Sequence, residues 1–229
     1  MRRNESIRRL GLISLQGPHL KTEQVIAGLL AKSYELKIYA LPFQLRPERS
    51  PLIEHRPNQF MGRDLSEIAD SLGIEYKAVD NDLEIDNERE LYQVLCGKLL
   101  TRECVREKRI LNCHAGTIPA VRGLDAFKWA IYDGKRLGVT LHEIDESVDG
   151  GKVLAIEPTE TRLDDTIESL AKRHYENEIR CCIDFERLMR SGSCKMTGGD
   201  PGDARMRMPR SKEAEVLGKF DDYLQAFGT

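Results

Sequence analysis

The chain has 229 residues, of which 40% are hydrophobic and 32% charged, and its formal net charge is −3. That length suits one large domain, or a domain with a small appendage. So small a charge gives no argument for a nucleic-acid or membrane partner, and neither is expected. No apolar run approaches the roughly 20 residues of a membrane span, and the hydrophobic stretch after MRRNESIRRL is too short for a secretory signal, so the expected location is cytoplasmic.

In chain order, the apolar run LGLISL (residues 10–15) predicts a buried strand, followed by a QGPH loop and a helix over KTEQVIAGLLAKS (21–33). LKIYAL (36–41) is a second strand. Residues 42–61 hold four prolines without a clear period and are expected to be a long loop. DLSEIADSLG (64–73) predicts a helix closed by Gly73, and IEYKAV (74–79) a third strand. NERELYQVLCG (87–97) is ambiguous: its first half has helical texture, while LYQVLC fits a strand. TRECVREK (101–108) is a short helix and RILNC (109–113) a strand. LDAFKWAIYDG (124–134) has helical spacing closed by Gly134. LGVTLHEI and KVLAIEP predict two further strands, and residues 164–192 one long helix. Strands alternating with helices predict an α/β fold with a mainly parallel sheet flanked by helices. Beyond Gly192 the texture turns rich in Gly, Ser and Pro, then gives one amphipathic helix, SKEAEVLGKFDDYLQAF. The expected organisation is a domain over 1–192 and a C-terminal helical tail over 193–229, packed on that domain or on a second subunit.

The six cysteines, at 96, 104, 113, 181, 182 and 194, form no CxxC pair and no metal-like spacing with histidine. Reduced thiols and no metal are therefore expected. Cys113 adjoins His114, but neighbours on a strand face opposite ways, which argues against a thiol nucleophile there.

Chemistry concentrates in LNCHAGTIPAVRG (111–123). Residues i and i+2 of a strand share a face, so Asn112 and His114 emerge together where the strand ends, and ligands of open α/β sheets bind beyond the carboxyl ends of strands. Some 35 residues later, EIDESVDGGKVL places Asp149 before a Gly-Gly turn that could aim it into the same crevice. An amide, an imidazole and a carboxylate in one pocket can stabilise an oxyanion, carry a proton and orient the carrier. By spacing alone the alternatives stay open, since a histidine after a strand and an Asp-Gly-Gly turn are both common structural features. Arg122, on the loop after His114, fits either contact with an anionic substrate or plain solvent exposure. Among the rest, Trp129 and His142 read as core residues, and Glu143, Asp145 and Glu146 as a solvated rim.

The ordered set Asn112-x-His114, Pro119, Arg122-Gly123, Trp129-Ala130-Ile131, Gly134, Gly138-Val139-Thr140-x-His142 and Asp149-x-Gly151 resembles the signature region of the 10-formyltetrahydrofolate-dependent formyltransferases. The likeness runs over roughly residues 96–192 and implies a Rossmann-like fold. It also implies a catalytic trio of Asn112, His114 and Asp149, with Asn112 and protonated His114 stabilising an oxyanion and Asp149 holding the imidazole or a relaying water. The family resemblance further implies 10-formyltetrahydrofolate as co-substrate, with no metal. Two loops would hold it largely through backbone groups: Lys98, Leu99 and Leu100, and the turn containing Ile144, Asp145 and Val148. SLQGPHL after the first strand has one glycine, followed by a proline without an N–H, and makes a poor phosphate cradle compared with glycinamide ribonucleotide transformylases. Too few residues follow Gly192 for the tRNA-binding barrel of the methionyl-tRNA branch. A small amine acceptor, first of all a nucleotide-linked amino sugar, is thus expected. Alternatives are glycinamide ribonucleotide as acceptor, or a non-catalytic folate- or nucleotide-binding relative, and the C-terminal helix offers a possible homodimer contact.

Overall fold

A computed structural model describes residues 8–43, 50–146, 149, 151–192 and 203–229. The described strands are β1 (Arg9–Leu15), β2 (Glu35–Leu41), β3 (Glu75–Ala78), β4 (Leu91–Val94), β5 (Ile110–His114), β6 (Gly138–Glu143) and β7 (Lys152–Pro158). They form one seven-stranded sheet in the order β3-β2-β1-β4-β5-β6-β7. β1 pairs in parallel with β2 and β4, as do β2 with β3 and β4 with β5, whereas β6 and β7 are antiparallel. The expected α/β class with a mainly parallel sheet is what the chain adopts.

The chain forms two compact units, one of residues 1–45 and 58–112, the other of 46–57 and 113–229. In the first, α1 (Leu20–Ala31) buries Val25, Ile26 and Leu29, one stripe at helical spacing, and α2 (Leu65–Leu72) is started by the Asp64 carboxylate, which accepts from the Ser66 N–H, and stopped by Gly73 in the left-handed region. The core of the strands is Leu10, Leu12, Ile13, Ile38 and Leu41, all fully buried. Each such side chain contributes on the order of 2 kcal/mol by leaving water. Gly11 is required between them: a Cβ there would lie 2.4 Å from the Tyr92 ring. The unit also holds α3 (Arg102–Glu107). The ambiguous segment resolves to its strand half, β4, because Leu91 to Val94 are buried and pair with β1.

In the second unit α4 (Ala126–Tyr132) packs with α7 (Arg210–Phe227), and Phe127, Ala130 and Ile131 share a core with Val216, Phe220, Tyr223 and Leu224. Residues 50–57 of the proline-rich loop belong to this unit: Ile53 is buried in the same core and the Leu52 N–H donates to Glu213 Oε2 at 2.6 Å. The single helix expected over 164–192 is instead two, α5 (Ile167–Ile183) and α6 (Phe185–Ser191). The chain turns at Asp184, φ −96° and ψ 18°, and the turn delivers Phe185 and Leu188 into the core, where both are essentially inaccessible. Burial of two large apolar side chains outweighs helix continuation here.

Candidate active site

β5 ends at His114, and the loop that follows wraps around that imidazole. His114 Nε2 lies 3.0 Å from the Val121 carbonyl oxygen. Gly116 makes the contact possible, since a Cβ there would approach both His114 Nε2 and the Val121 oxygen to 2.7 Å. Thr140 on β6 pins the same loop, its Oγ1 donating to the Gly116 carbonyl (2.6 Å) and accepting from the Ile118 N–H (3.0 Å).

Asp149 reaches the other edge of the ring: Oδ1 is 3.4 Å from His114 Nδ1. The carboxylate is aimed by its turn. Asp149 has a φ of 44°, and Gly151 at φ 59° lies so close to the Glu143 carbonyl that a Cβ would stand 2.2 Å from it. Asp149 Oδ2 accepts the Gly123 N–H at 2.8 Å. A loop after β5 and a turn after β6 thus meet at one imidazole.

His114 is only 7% exposed. Its two nitrogens face a carbonyl and a carboxylate, which only accept, so satisfying both requires the imidazolium. Burial opposes that charge. The result is an imidazole held below its ordinary value by burial, with the negative Asp149, the Val121 carbonyl and Glu178 pulling the other way. A neutral ring carries a single N–H, so it serves either the Val121 carbonyl from Nε2 or the Asp149 carboxylate from Nδ1, not both.

Behind this pair lies a polar cluster that sequence reasoning missed. His174 on α5 places Nε2 3.2 Å from the Ala115 carbonyl and Nδ1 2.8 Å from Thr159 Oγ1. Burial drives its value down to about 4. Four residues on, Glu178 is 2% exposed and pairs with Arg56 Nη2 at 2.8 Å. His55 stacks on Phe127 at 5.9 Å. The i,i+4 spacing of His174 and Glu178 on one helix is the signal that could have found them, whereas Arg56 and His55 come from a loop with no periodicity to place them.

The other candidates fall as follows. Asn112 is half-buried on β5, two residues before His114 and therefore on its face of the strand. Lys98 and Leu99 are exposed in the loop after β4, Leu99 at 74%, with Leu100 half-buried. Ile144 is half-buried and Asp145 exposed after β6, while Val148 lies outside the described residues. Arg122 lines a cleft of about 490 Å³ with Pro119, Trp129, Asp133, Asp203 and Arg205. His142 and Trp129 are buried. The five described cysteines are buried and free, and no cluster of three metal-binding side chains occurs among the described residues. No described helix is long and apolar enough to cross a membrane.

Comparison with known proteins places the chain among similar sequences and folds. The chain is 31% identical over 138 residues to methionyl-tRNA formyltransferase of Kosmotoga olearia, covering 58% of this chain and 44% of that one. It is 31% identical over 101 residues to GDP-perosamine N-formyltransferase of Brucella melitensis, covering 44% and 36%. The chain thus spans less than half the length of these curated relatives. Among solved structures, a sugar N-formyltransferase from a Shewanella species superposes with a TM-score of 0.59 at 18% identity, over 96% of this chain and 87% of that one. Phosphoribosylglycinamide formyltransferase from Bacillus halodurans gives 0.57 at 20% identity, over 83% and 100%. These likenesses carry the fold. Residues 78–185, which contain Asn112, His114 and Asp149, match the formyl transferase family model, so that stretch of the chain is similar to the formyl transferase domain.

Proposed function

We propose that the chain transfers a formyl group from 10-formyltetrahydrofolate to the primary amine of a small acceptor, a nucleotide-linked amino sugar by preference. The observation that carries this reading is the buried His114–Asp149 pair at the end of β5, with Asn112 on the same strand face. The residues suit the folate. Leu99 projects an apolar side chain, 74% exposed, from the loop after β4 and offers a surface for a flat ring, and the turn after β6 is too tight at Gly151 to hold a side chain, leaving backbone groups to bind. Lys98 to Leu100 in one loop and Ile144 to Val148 in the other are the proposed holding residues.

Bound 10-formyltetrahydrofolate supplies an activated formyl carbon. Asn112 Nδ2 donates to the formyl oxygen as charge gathers there, a contribution of about 10²–10³ in rate for a donor of this kind. His114, neutral at rest because it is buried, takes the proton that the attacking amine releases. Asp149 Oδ1, 3.4 Å from Nδ1, then faces an imidazolium, and its negative charge stabilises the product of that transfer. His114 finally returns the proton to the departing nitrogen. Burial thus favours a proton acceptor over the protonated His114 that the family resemblance implies.

Two observations support the sugar acceptor. One is the likeness to GDP-perosamine N-formyltransferase. The other is the β1–α1 turn, where Ser14, His19 and Thr22 hydrogen-bond one another (Ser14 Oγ to Thr22 Oγ1, 2.7 Å; His19 Nδ1 to Thr22 Oγ1, 2.7 Å) instead of forming an open nest of donors for a phosphate.

The test is release of tetrahydrofolate with a panel of acceptors: nucleotide-linked amino sugars, glycinamide ribonucleotide and methionyl-tRNA. Turnover with an amino sugar, reduced about 10²–10⁴-fold in His114→Gln, is expected. Turnover confined to glycinamide ribonucleotide or to methionyl-tRNA would move the acceptor to that class. Folate binding without transfer to any of them would overturn the catalytic reading.

A further inference from the structure

Asp149 is held by one backbone N–H, that of Gly123, and Gly123 is itself held by a segment more than 80 residues further along the chain. The Arg205 N–H donates to the Arg122 carbonyl (3.0 Å), and the Arg205 carbonyl accepts from the Leu124 N–H (2.8 Å), so the two stretches run together as a short parallel bridge centred on Gly123 and Arg205. Contact is so close that a Cβ on Gly123 would stand 2.1 Å from the Arg205 carbonyl oxygen. The flanking residues bind the same element: the Trp129 indole N–H donates to the Met206 carbonyl (2.9 Å), and the Met208 N–H to Asp125 Oδ2 (3.0 Å). Arg205 completes the clamp with its side chain. The guanidinium lies 4.5 Å above the Trp129 ring and pairs with Asp133 Oδ2 at 2.9 Å.

We infer that the segment 203–208 is a strap that positions the catalytic carboxylate, and that Arg205 is its positioning residue. Both backbone groups of Arg205 are bonded to the neighbours of Gly123, which fixes the plane of the 122–124 peptides and thereby the direction of the Gly123 N–H. That N–H fixes Asp149 Oδ2, and the rigid carboxylate then presents Oδ1 to His114. Without the strap, a glycine at φ 90° would be free to turn its N–H away, since glycine has no side chain to restrict it. The inference rests on the reading of His114 and Asp149 as the proton-handling pair, while the strap itself is seen in contacts independent of any reaction.

Two readouts separate these. The first is hydrogen exchange of the Gly123 amide, followed by NMR in the full chain; the second is kcat and KM for formyl transfer. Arg205→Ala removes the ion pair and the stacking, Arg205→Pro also removes the N–H that bonds Arg122, and Arg205→Lys keeps a cation for Asp133 and Trp129. Exchange at Gly123 is expected to quicken at least tenfold in Arg205→Pro and less in Arg205→Ala. Over the same series kcat should fall about tenfold, KM should change less than twofold, and Arg205→Lys should recover most of the loss. Unchanged Gly123 exchange in a folded Arg205→Pro would overturn the strap. So would quickened exchange with wild-type kcat. Should the wild-type chain transfer no formyl group, the functional reading fails, and the exchange measurement still decides whether the strap holds Gly123.

Discussion

At the scale of single residues, the site is a contest between burial and hydrogen bonding at one imidazole. His114 has acceptors on both edges, yet burial keeps it below the ordinary histidine value. Its orientation depends on Gly116 as much as on its partners. In Gly116→Ala the new methyl would meet His114 Nε2 and the Val121 oxygen at 2.7 Å, so the Nε2 contact must break. Formyl transfer should drop by about 10²-fold, the order expected when a proton-transfer group is misplaced. A folded Gly116→Ala protein with full activity would show that the Val121 contact does not orient the ring. That Asn112 and His114 share a strand face was legible from alternation, and that Asp149 sits in a tight turn from the glycines after it. Val121, Gly123 and Arg205 were not, because their parts are played by backbone groups or by contacts remote in sequence, to which side-chain identity gives no guide.

At the scale of elements, capping and buried pairing decide where helices begin and how they dock. α5 starts in a reciprocal capping box: the Ser169 N–H donates to Thr166 Oγ1 at 3.2 Å and the Thr166 N–H to Ser169 Oγ at 3.0 Å. Thr166→Ala should cost about 1 kcal/mol in chemical denaturation, and a change under a few tenths would mean that the box contributes nothing. Docking of α7 rests partly on Lys128 Nζ and Glu213 Oε1, 2.5 Å apart and both nearly inaccessible. Glu213→Ala leaves Lys128 with Asp125 Oδ2, 3.5 Å away, as its remaining counter-charge and the Leu52 N–H without its acceptor, and should destabilise by about 3 kcal/mol, the lower end for a broken buried pair, measured as a fall in the denaturation midpoint. Periodicity made α1, α2, α4 and α7 readable in advance. The break at Asp184 was hidden because Cys181 to Leu188 keeps helical composition throughout, and only the burial of Phe185 and Leu188 creates it.

At the scale of the whole molecule, the ionisable groups make stability depend on pH in a fixed direction. His174 binds a proton only near pH 4 when folded but near the ordinary 6.5 when unfolded, and burial lowers His55 and His114 in the same sense. The unfolded chain therefore takes up more protons as pH falls from about 6.5, so the stability these groups contribute is complete above that value and lost on descending towards 4. His174 alone accounts for about 3 kcal/mol of this loss. Asp165 and Asp86 continue it. Burial works to raise both, but hydrogen bonds from Arg173 to the first and from Lys37 and Tyr39 to the second outweigh it and hold each at about 2. Their contribution is present above the ordinary carboxylate value and disappears as pH falls towards 2. Denaturation midpoints should decline steadily from pH 7 to pH 4 and again below it; a flat profile between 7 and 5 would contradict the buried neutral histidines.

The same groups supply the most direct test of the central claim, that a buried neutral His114 backed by Asp149 moves the proton in formyl transfer. The measurement is the pH profile of single-turnover transfer to the best acceptor, in the wild type and in Asp149→Asn. A proton acceptor is active when unprotonated, so the rate should rise through an acid limb lying below pH 6.5. Loss of the Asp149 charge should move that limb to still lower pH and reduce the plateau by about 10²-fold or more. A limb at or above the ordinary histidine value, or one that stays in place when Asp149 is neutralised, would contradict the account.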